Sequence, residues 1–372
     1  MKIAREPRHA RDNVMRIVFT GGGSLGPVTP LIAVMHEVRR IRPDASFSWI
    51  GTKGGVEERL VGEAHVPFSA VSAGKFRRYF SWRTFAEPMA VIRGFFQARR
   101  LLRAEGADVV VSAGGFVAVP VAWAARSLGI PVHVHQQDVI PGLANRLALP
   151  AAISLSVALK TSVKDFPRHK AVWTGNPVRA EVLAGSRSLA SSAFGLEFGV
   201  PVVFVVGGGT GARGLNQLVW QSLPALTAKA QVIHSAGIGK TDPAKGMPRY
   251  HQFELLTGDM PQALAVADVV VTRAGMGQLT ELAALGKPTV IVPMPGSHQE
   301  ANAAAFSAGG GAVVLDQRQA SSESFAATVL GLLDDPARRA DMADKMRAMS
   351  VSDAAGRIAR TVISLADARR KG

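Results

Sequence analysis

The stretch Arg273-Ala274-Gly275-Met276-Gly277-Gln278-Leu279-Thr280-Glu281 follows the apolar run 267–271 (ADVVV) and precedes Gly286-Lys287-Pro288. The order reads as a buried strand, a glycine turn, a helix opening and a second strand over 289–292. The first N–H groups of a helix have no partner within it, so such a turn attracts an anion. Here a carboxylate, Glu281, follows within the helix, and the polar loop His298-Gln299-Glu300-Ala301-Asn302 follows the second strand. A phosphate beside a hydroxyl-bearing ring is the natural pair of guests. The pattern predicts a nucleotide-sugar site late in the chain rather than an early dinucleotide site.

Working outward, the same strand–glycine–helix grammar occurs twice. In the first half, 16–20 (RIVFT) reads as a strand leading into the glycine loop 21–26, with a periodic helix from Pro30. Further strands are predicted at 46–51, 107–111, 131–135 and 172–174. The pattern restarts at 202–206, leading into the glycine-rich run 207–213 and a helix from about Leu215, with strands at 231–235, 267–271 and 289–292. Helical patterning over 336–370 ends the chain. Strands alternating with helices, twice over, predict an α/β chain of two doubly wound domains, supported by the similar openings FTGGG and VVGGG. The expected division is an N-terminal extension (1–13), an N-terminal domain (14–180), a C-terminal domain (181–350) and a last helix (351–372) packing back on the first domain. The linker falls near 177–188. Ligands of such sheets lie at the C-terminal strand ends, so both glycine loops should face one cleft.

Composition narrows the chemistry. The 372 residues suit two domains. Cysteine is absent, which excludes disulfides and thiol chemistry. No apolar run reaches the ~18 residues a membrane span needs, and no signal-peptide core follows the basic N-terminus, so a cytoplasmic location is expected. Residues 1–180 carry 25 Lys and Arg against 12 Asp and Glu; residues 181–372 carry 18 against 16. The formal +15 therefore sits almost wholly in the first half, which suits an anionic surface or acidic substrate. The segment Lys75-Phe76-Arg77-Arg78-Tyr79-Phe80-Ser81-Trp82-Arg83 interleaves cations with aromatics, and Phe95-Phe96 with Arg99-Arg100 and Arg103 follows on a helix. No RNA-binding signature accompanies them, so a lipid headgroup surface is favoured over bases.

Other motifs weigh against rival classes. The loop at 21–26 is no clean G-x-G-x-x-G, and no acidic residue ends the second strand, which argues against NAD. It also lacks the lysine of a nucleoside-triphosphate loop. His133 and His135 point the same way on a strand, but no third ligand is evident, so His135 reads as a packed, hydrogen-bonded residue and no metal is expected. Asp138 and Asn145 flank Pro141-Gly142 on an irregular loop, where functional residues concentrate.

Taken together, GGGSLGPVTPLIAV (21–34), SAGGFVAVP (112–120), SLGIPVHVHQQDVIPGLAN (127–145), TGNPVR (174–179), GGGTGARGLNQ (207–217), ADVVVTRAGMGQLTELAALGKPTVIVPMP (267–295) and HQEANA (298–303) resemble the MurG family over about 16–349. That resemblance implies a GT-B glycosyltransferase. It would move N-acetylglucosamine from UDP-GlcNAc to lipid I, giving lipid II of peptidoglycan synthesis, at the cytoplasmic membrane face, with inversion and without a metal or other cofactor. The implied partners are UDP-GlcNAc, lipid I and the anionic inner-membrane surface; nucleic acid is not expected. Residue by residue, the resemblance places Ser24, Leu25 and Gly26 near the sugar and Arg179 on the arginine of TGNPVR. It places Gly209 beside the diphosphate and Thr257 at the uracil. Met276, Gly277, Gln278, Leu279 and Thr280 form the helix start under the diphosphate, with Glu281 on the ribose and Gln299 on the GlcNAc hydroxyls. Asn145 is expected to contact substrate.

The chain also departs from the family. Pro27 stands where the first loop usually carries a histidine, a candidate base. Gln136 and Asp138 stand where HEQN has Glu and Asn. Proline cannot carry a proton on its side chain, so the base is assigned to Asp138. Two alternatives stand beside this reading: a UDP-sugar-binding protein with lost or altered transfer, and a related enzyme with another lipid acceptor.

Overall fold

The computed structural model describes residues 14–23, 26–74, 87–167, 169–208, 211–241, 246–256 and 258–371. The N-terminal extension and the Lys75–Arg83 segment lie outside the described residues. Seven strands, β1 (Arg16–Thr20), β2 (Ser46–Gly51), β3 (Phe68–Ala70), β4 (Val109–Ser112), β5 (Val132–Gln136), β6 (Ser154–Val157) and β7 (Ala171–Trp173), form one sheet in the order β3-β2-β1-β4-β5-β6-β7. Six more, β8 (Val202–Val206), β9 (Gln231–Ser235), β10 (Tyr250–Phe253), β11 (Val269–Thr272), β12 (Thr289–Ile291) and β13 (Ala312–Val314), form a second sheet in the order β10-β9-β8-β11-β12-β13. Every pairing is parallel. This is the expected α/β architecture of two doubly wound, Rossmann-like sheets.

Parallel strands are covered on both faces, so the central ones read as unbroken apolar runs. All residues of β4, β5, β8 and β11 are buried. The order reverses between β1 and β4 in one sheet and between β8 and β11 in the other, and those switch points open the crevice for ligands.

The two halves repeat one device. Asp108 Oδ2 accepts from Arg16 N at 2.9 Å, and Asp268 Oδ2 accepts from Val202 N at 2.8 Å. Each carboxylate ends the ladder at the start of its half's first strand. The strands β4 and β11 were expected to begin at the alanine before each aspartate, 107 and 267; they begin one residue after the aspartate instead. The short strands β3, β6, β10 and β13 are additions to the sequence reading.

The chain does not end as one helix. Pro336–Met349 stops at Ser350, whose ψ of 149° leaves the helical region, and Ala354–Lys371 begins anew. The break lets the last helix cross to the first half. There Ile358, Ala359, Val362 and Ala366 pack with Met15, Phe19, Leu31 and Val34. Beside this crossing Gly175 adopts φ +80°, and a Cβ there would stand 2.5 Å from Val351 Cβ, so only glycine fits.

Candidate functional site

Between the sheets lies a cleft of about 1420 Å³. Drug-sized pockets run to roughly 300–1,000 Å³, so there is room for two substrates. Its floor comes from strand ends: Ala113, Gly114 and Gly115 after β4, Gly208 after β8 and Gly275 after β11. Gly26 and Gly208 place both glycine loops on one cleft, as expected.

The donor side is built on the helix Met276–Leu285. Gly275 is its N-cap and supplies no side-chain cap; Gly286, at φ +63°, ends it in the left-handed form that glycine favours. The first bond of this helix runs from Leu279 N to Gly275 O, which leaves the N–H groups of Met276, Gly277 and Gln278 ahead of it. Gln278 Nε2 is buried without a partner among the described residues. The residue lines the cleft beside those groups. Glu281 is only 8% exposed. Burial pushes its carboxyl above the usual range, and the Arg179 guanidinium, 3.1 Å away, counters part of that rise.

The acceptor side centres on the loop after β5. Gln136 Nε2 donates to Asp138 O at 2.7 Å, and Asn145 Nδ2 donates to Gln136 Oε1 at 2.6 Å. Gln136 thus braces the turn that presents Asp138. Asn145 Oδ1 is buried without a partner among the described residues and lines the cleft.

Asn302 joins the two sides. Its Nδ2 donates to Asp138 Oδ1 at 2.8 Å and to Ala274 O at 3.0 Å, and its Oδ1 accepts from Val139 N at 2.9 Å. One buried amide therefore fixes the Asp138 carboxylate against the donor glycine turn. His298 Nε2 stands 4.0 Å from Asp138 Oδ2. Gln299, on the same helix (Gln299–Ala308), accepts from Met294 N at 3.0 Å.

The first glycine loop has its own brace. Glu57 is buried and accepts from Gly23 N at 3.1 Å, from Thr52 N at 2.9 Å and from the Thr52 hydroxyl. Burial alone would raise its carboxyl; the Thr52 and Gly23 bonds outweigh that and hold it below the usual carboxylate range.

Of the residues expected at the site, Gly26, Asp138, Asn145, Arg179, Met276, Gly277, Gln278, Glu281 and Gln299 line this one cleft. Leu279 and Thr280 do not. Leu279 packs into the core with Phe204 and Ile291, and Thr280 Oγ1 accepts from Asn176 Nδ2 at 2.8 Å. Ser24, Leu25, Gly209 and Thr257 lie outside the described residues. Arg273 turns away from the cleft to bond Val292 O, Pro293 O and Gln317 Oε1. Asn302, Glu57 and Asn176 were not singled out from the sequence. Asn302 falls three residues after Gln299 in HQEANA, a spacing that puts both on one helix face, and that was the available signal.

Comparison with known proteins gives the family and the fold. Residues 17–155 match the glycosyltransferase family 28 N-terminal domain, and 202–358 match its C-terminal domain. A UDP-N-acetylglucosamine--N-acetylmuramyl-(pentapeptide) pyrophosphoryl-undecaprenol N-acetylglucosamine transferase of Shouchella clausii is 39% identical over 83% of this chain and 88% of its own length. The protein of that name from Clostridium kluyveri is 36% identical over 92% of this chain and 97% of its own. This chain belongs to the MurG family. The crystal structure of Acinetobacter baumannii MurG, at 24% identity, superposes with a TM-score of 0.74 over 94% of this chain and 99% of that one, which supports the shared GT-B fold. As a MurG-family hexosyltransferase, the chain has its expected fold class and enzyme class.

Proposed function

We propose that this MurG-family enzyme transfers N-acetylglucosamine from UDP-GlcNAc to lipid I, forming lipid II with inversion at the anomeric carbon. UDP lies against the start of the helix Met276–Leu285, where unpaired N–H groups and the Gln278 amide stabilise charge growing on the leaving diphosphate. Glu281 takes the ribose hydroxyls and Gln299 the sugar. Asp138 accepts the proton of the attacking muramoyl hydroxyl, a role typically contributing ~10²–10⁴-fold. The observation that carries this reading is the Asn302 clamp, which sets the Asp138 carboxylate beside the donor turn from the opposite half. Gln136, where the family has Glu, is spent on holding the Asp138 loop and needs no charge for that.

The enzyme works on the cytoplasmic face of an anionic membrane, held peripherally. On the helix Glu87–Glu105, Met89, Ile92 and Phe96 are exposed on the face opposite the buried Gly94, Ala98 and Leu102, and Arg93, Arg100 and Arg103 share their stripe. Apolar tips among cations suit a lipid headgroup layer. Among the described residues, no helix is long and apolar enough to cross a membrane.

The test is UDP release with a lipid I analogue by wild type and Asp138→Asn. Wild-type turnover and a loss of at least about 10²-fold in the variant are expected. UDP-GlcNAc binding without turnover would favour a sugar-binding protein instead, and unchanged turnover in Asp138→Asn would remove Asp138 as the base.

A further inference from the structure

Six side chains form a single file of hydrogen bonds from the core of the first half into the donor helix. Ser154 Oγ lies 3.1 Å from His133 Nδ1, and His133 Nε2 lies 2.9 Å from Ser156 Oγ. Ser156 Oγ is 2.8 Å from His135 Nδ1, and His135 Nε2 is 2.8 Å from Asn176 Oδ1. Asn176 Nδ2 then reaches Thr280 Oγ1 at 2.8 Å, and Thr280 Oγ1 lies 2.9 Å from the carbonyls of Met276 and Gly277. His133, His135, Ser156, Asn176 and Thr280 are all buried.

The file has one direction, and its far end sets it. The single Thr280 hydroxyl proton goes to the helix carbonyls, which can only accept, so Thr280 Oγ1 must accept from Asn176. That turns Asn176 Oδ1 toward His135, whose Nε2 must then carry a proton. A neutral His135 accepts at Nδ1 from Ser156. Ser156, its one proton spent, accepts from His133 Nε2–H, and His133 Nδ1 accepts from Ser154. Both rings are thereby assigned as neutral Nε2–H tautomers. Burial favours the same state: it drives His133 down to about 3, helped by the neighbouring His135, and His135 down to about 4. A protonated ring would place a donor at Nδ1 against the serine that now donates to it, and so break the file's one-way order.

Two members of this file stand beside groups of the reaction. His135 stands three residues before Asp138, and Thr280 stands next to Glu281. We propose that His135 and Asn176 are positioning residues, and that this one-way file holds the first turn of the donor helix in register with the strand that presents Asp138. It acts at a distance from the reacting atoms, through alignment of the two halves, and every polar atom along it is spent in one arrangement. A buried polar network satisfied in this way specifies one geometry. Displacement of about 1 Å between reacting groups is enough to cost on the order of 10²-fold in rate.

The proposal deepens the lipid I transferase reading and rests on it for its kinetic arm alone. Asn176→Asp keeps the acceptor for His135 and removes the donor to Thr280. His135→Gln keeps a donor near the Nε2 position, whereas His135→Asn does not reach it. Expected are a kcat at least about tenfold lower for Asn176→Asp and His135→Asn, recovery in His135→Gln, and UDP-GlcNAc affinity by calorimetry within about twofold of wild type. Turnover and affinity falling together in all three would indicate mere loss of structure and overturn the proposal. Independently of any acceptor, ¹⁵N-edited imidazole spectra of the wild type between pH 5 and 8 should show both rings neutral with the proton on Nε2. An Nδ1–H tautomer at either ring would overturn the file's direction. Absence of wild-type transfer to lipid I would instead sink the transferase reading and leave the spectra to decide the file.

Discussion

Arg179 and Glu281 form an ion pair at 3.1 Å across the junction of the two halves, with Glu281 buried and Arg179 one-third exposed. Arg179 follows Thr174–Val178 in the connection out of β7, and Glu281 lies on the donor helix. Burial raises the Glu281 carboxyl and the Arg179 guanidinium offsets part of that rise, which favours the charged form, the stronger acceptor for ribose hydroxyls. Hydrogen bonds to charged groups are worth about 1.5–3 kcal/mol. Glu281→Gln should therefore weaken UDP-GlcNAc binding by roughly 10- to 150-fold in calorimetry, with the fold intact. Arg179→Met should weaken it too, because the Glu281 carboxylate then becomes protonated more readily. The double variant should lose less than the sum of the two losses, since both act through one charge.

Asn302 donates to Asp138 at 2.8 Å, so a carboxylate at 302 would face another at hydrogen-bond range. Like charges that close cannot both ionise freely, and one pKa rises strongly. With Asp138 as the base, Asn302→Asp should move the acid limb of the pH–rate profile to higher pH by at least about one unit. An acid limb that stays in place while turnover persists would show that the proton goes elsewhere.

The strand β8 was legible in the sequence at its observed ends, because VVFVV is buried on both faces and flanked by Pro201 and glycines. The strand β6 was not. Its SLSV alternates polar and apolar because Ser154 and Ser156 meet His133 and His135, partners about 20 positions earlier. The donor turn could be read from 273–281 alone, since a helix start is a local property. The Asn302 clamp and the Arg179–Glu281 pair could not, since they join residues more than 100 positions apart. Departures from the family pattern were visible at Pro27, Gln136 and Asp138. Only the structure places Gln136 as a brace for the loop that carries Asp138.

Phe96 is 62% exposed and Met89 67% exposed on the basic stripe of the helix Glu87–Glu105. On the next helix, Trp123 is also exposed, and its indole N–H bonds Leu147 O at 2.9 Å. Phe96→Ser with Ile92→Ser should reduce sedimentation with phosphatidylglycerol vesicles by about tenfold or more, given roughly 1.5–3 kcal/mol for burying each large apolar side chain. Arg93→Gln with Arg100→Gln should lower binding chiefly at low salt, at about 1 kcal/mol per cation. Vesicle binding indifferent to both pairs would place the contact on another surface.

Acid should destabilise the protein through its buried histidines. His133 and His234 are held near 3 and His135 near 4, each by burial, against an ordinary value of 6.5. Between these values the unfolded chain binds protons that the folded one does not, so unfolding becomes easier as pH falls. The loss begins below about pH 6.5 and grows toward pH 4, at up to about 1.4 kcal/mol per pH unit for each histidine. His234 is bonded to Tyr250 Oη at 2.9 Å and Asn216 Oδ1 at 3.2 Å, away from the inter-half file. His234→Gln keeps a polar side chain there and removes one titration. Denaturant unfolding at pH 5 and pH 7 should show a smaller pH difference for this variant than for wild type. An unchanged difference would mean that His234 is protonated in the folded protein as readily as in the unfolded chain.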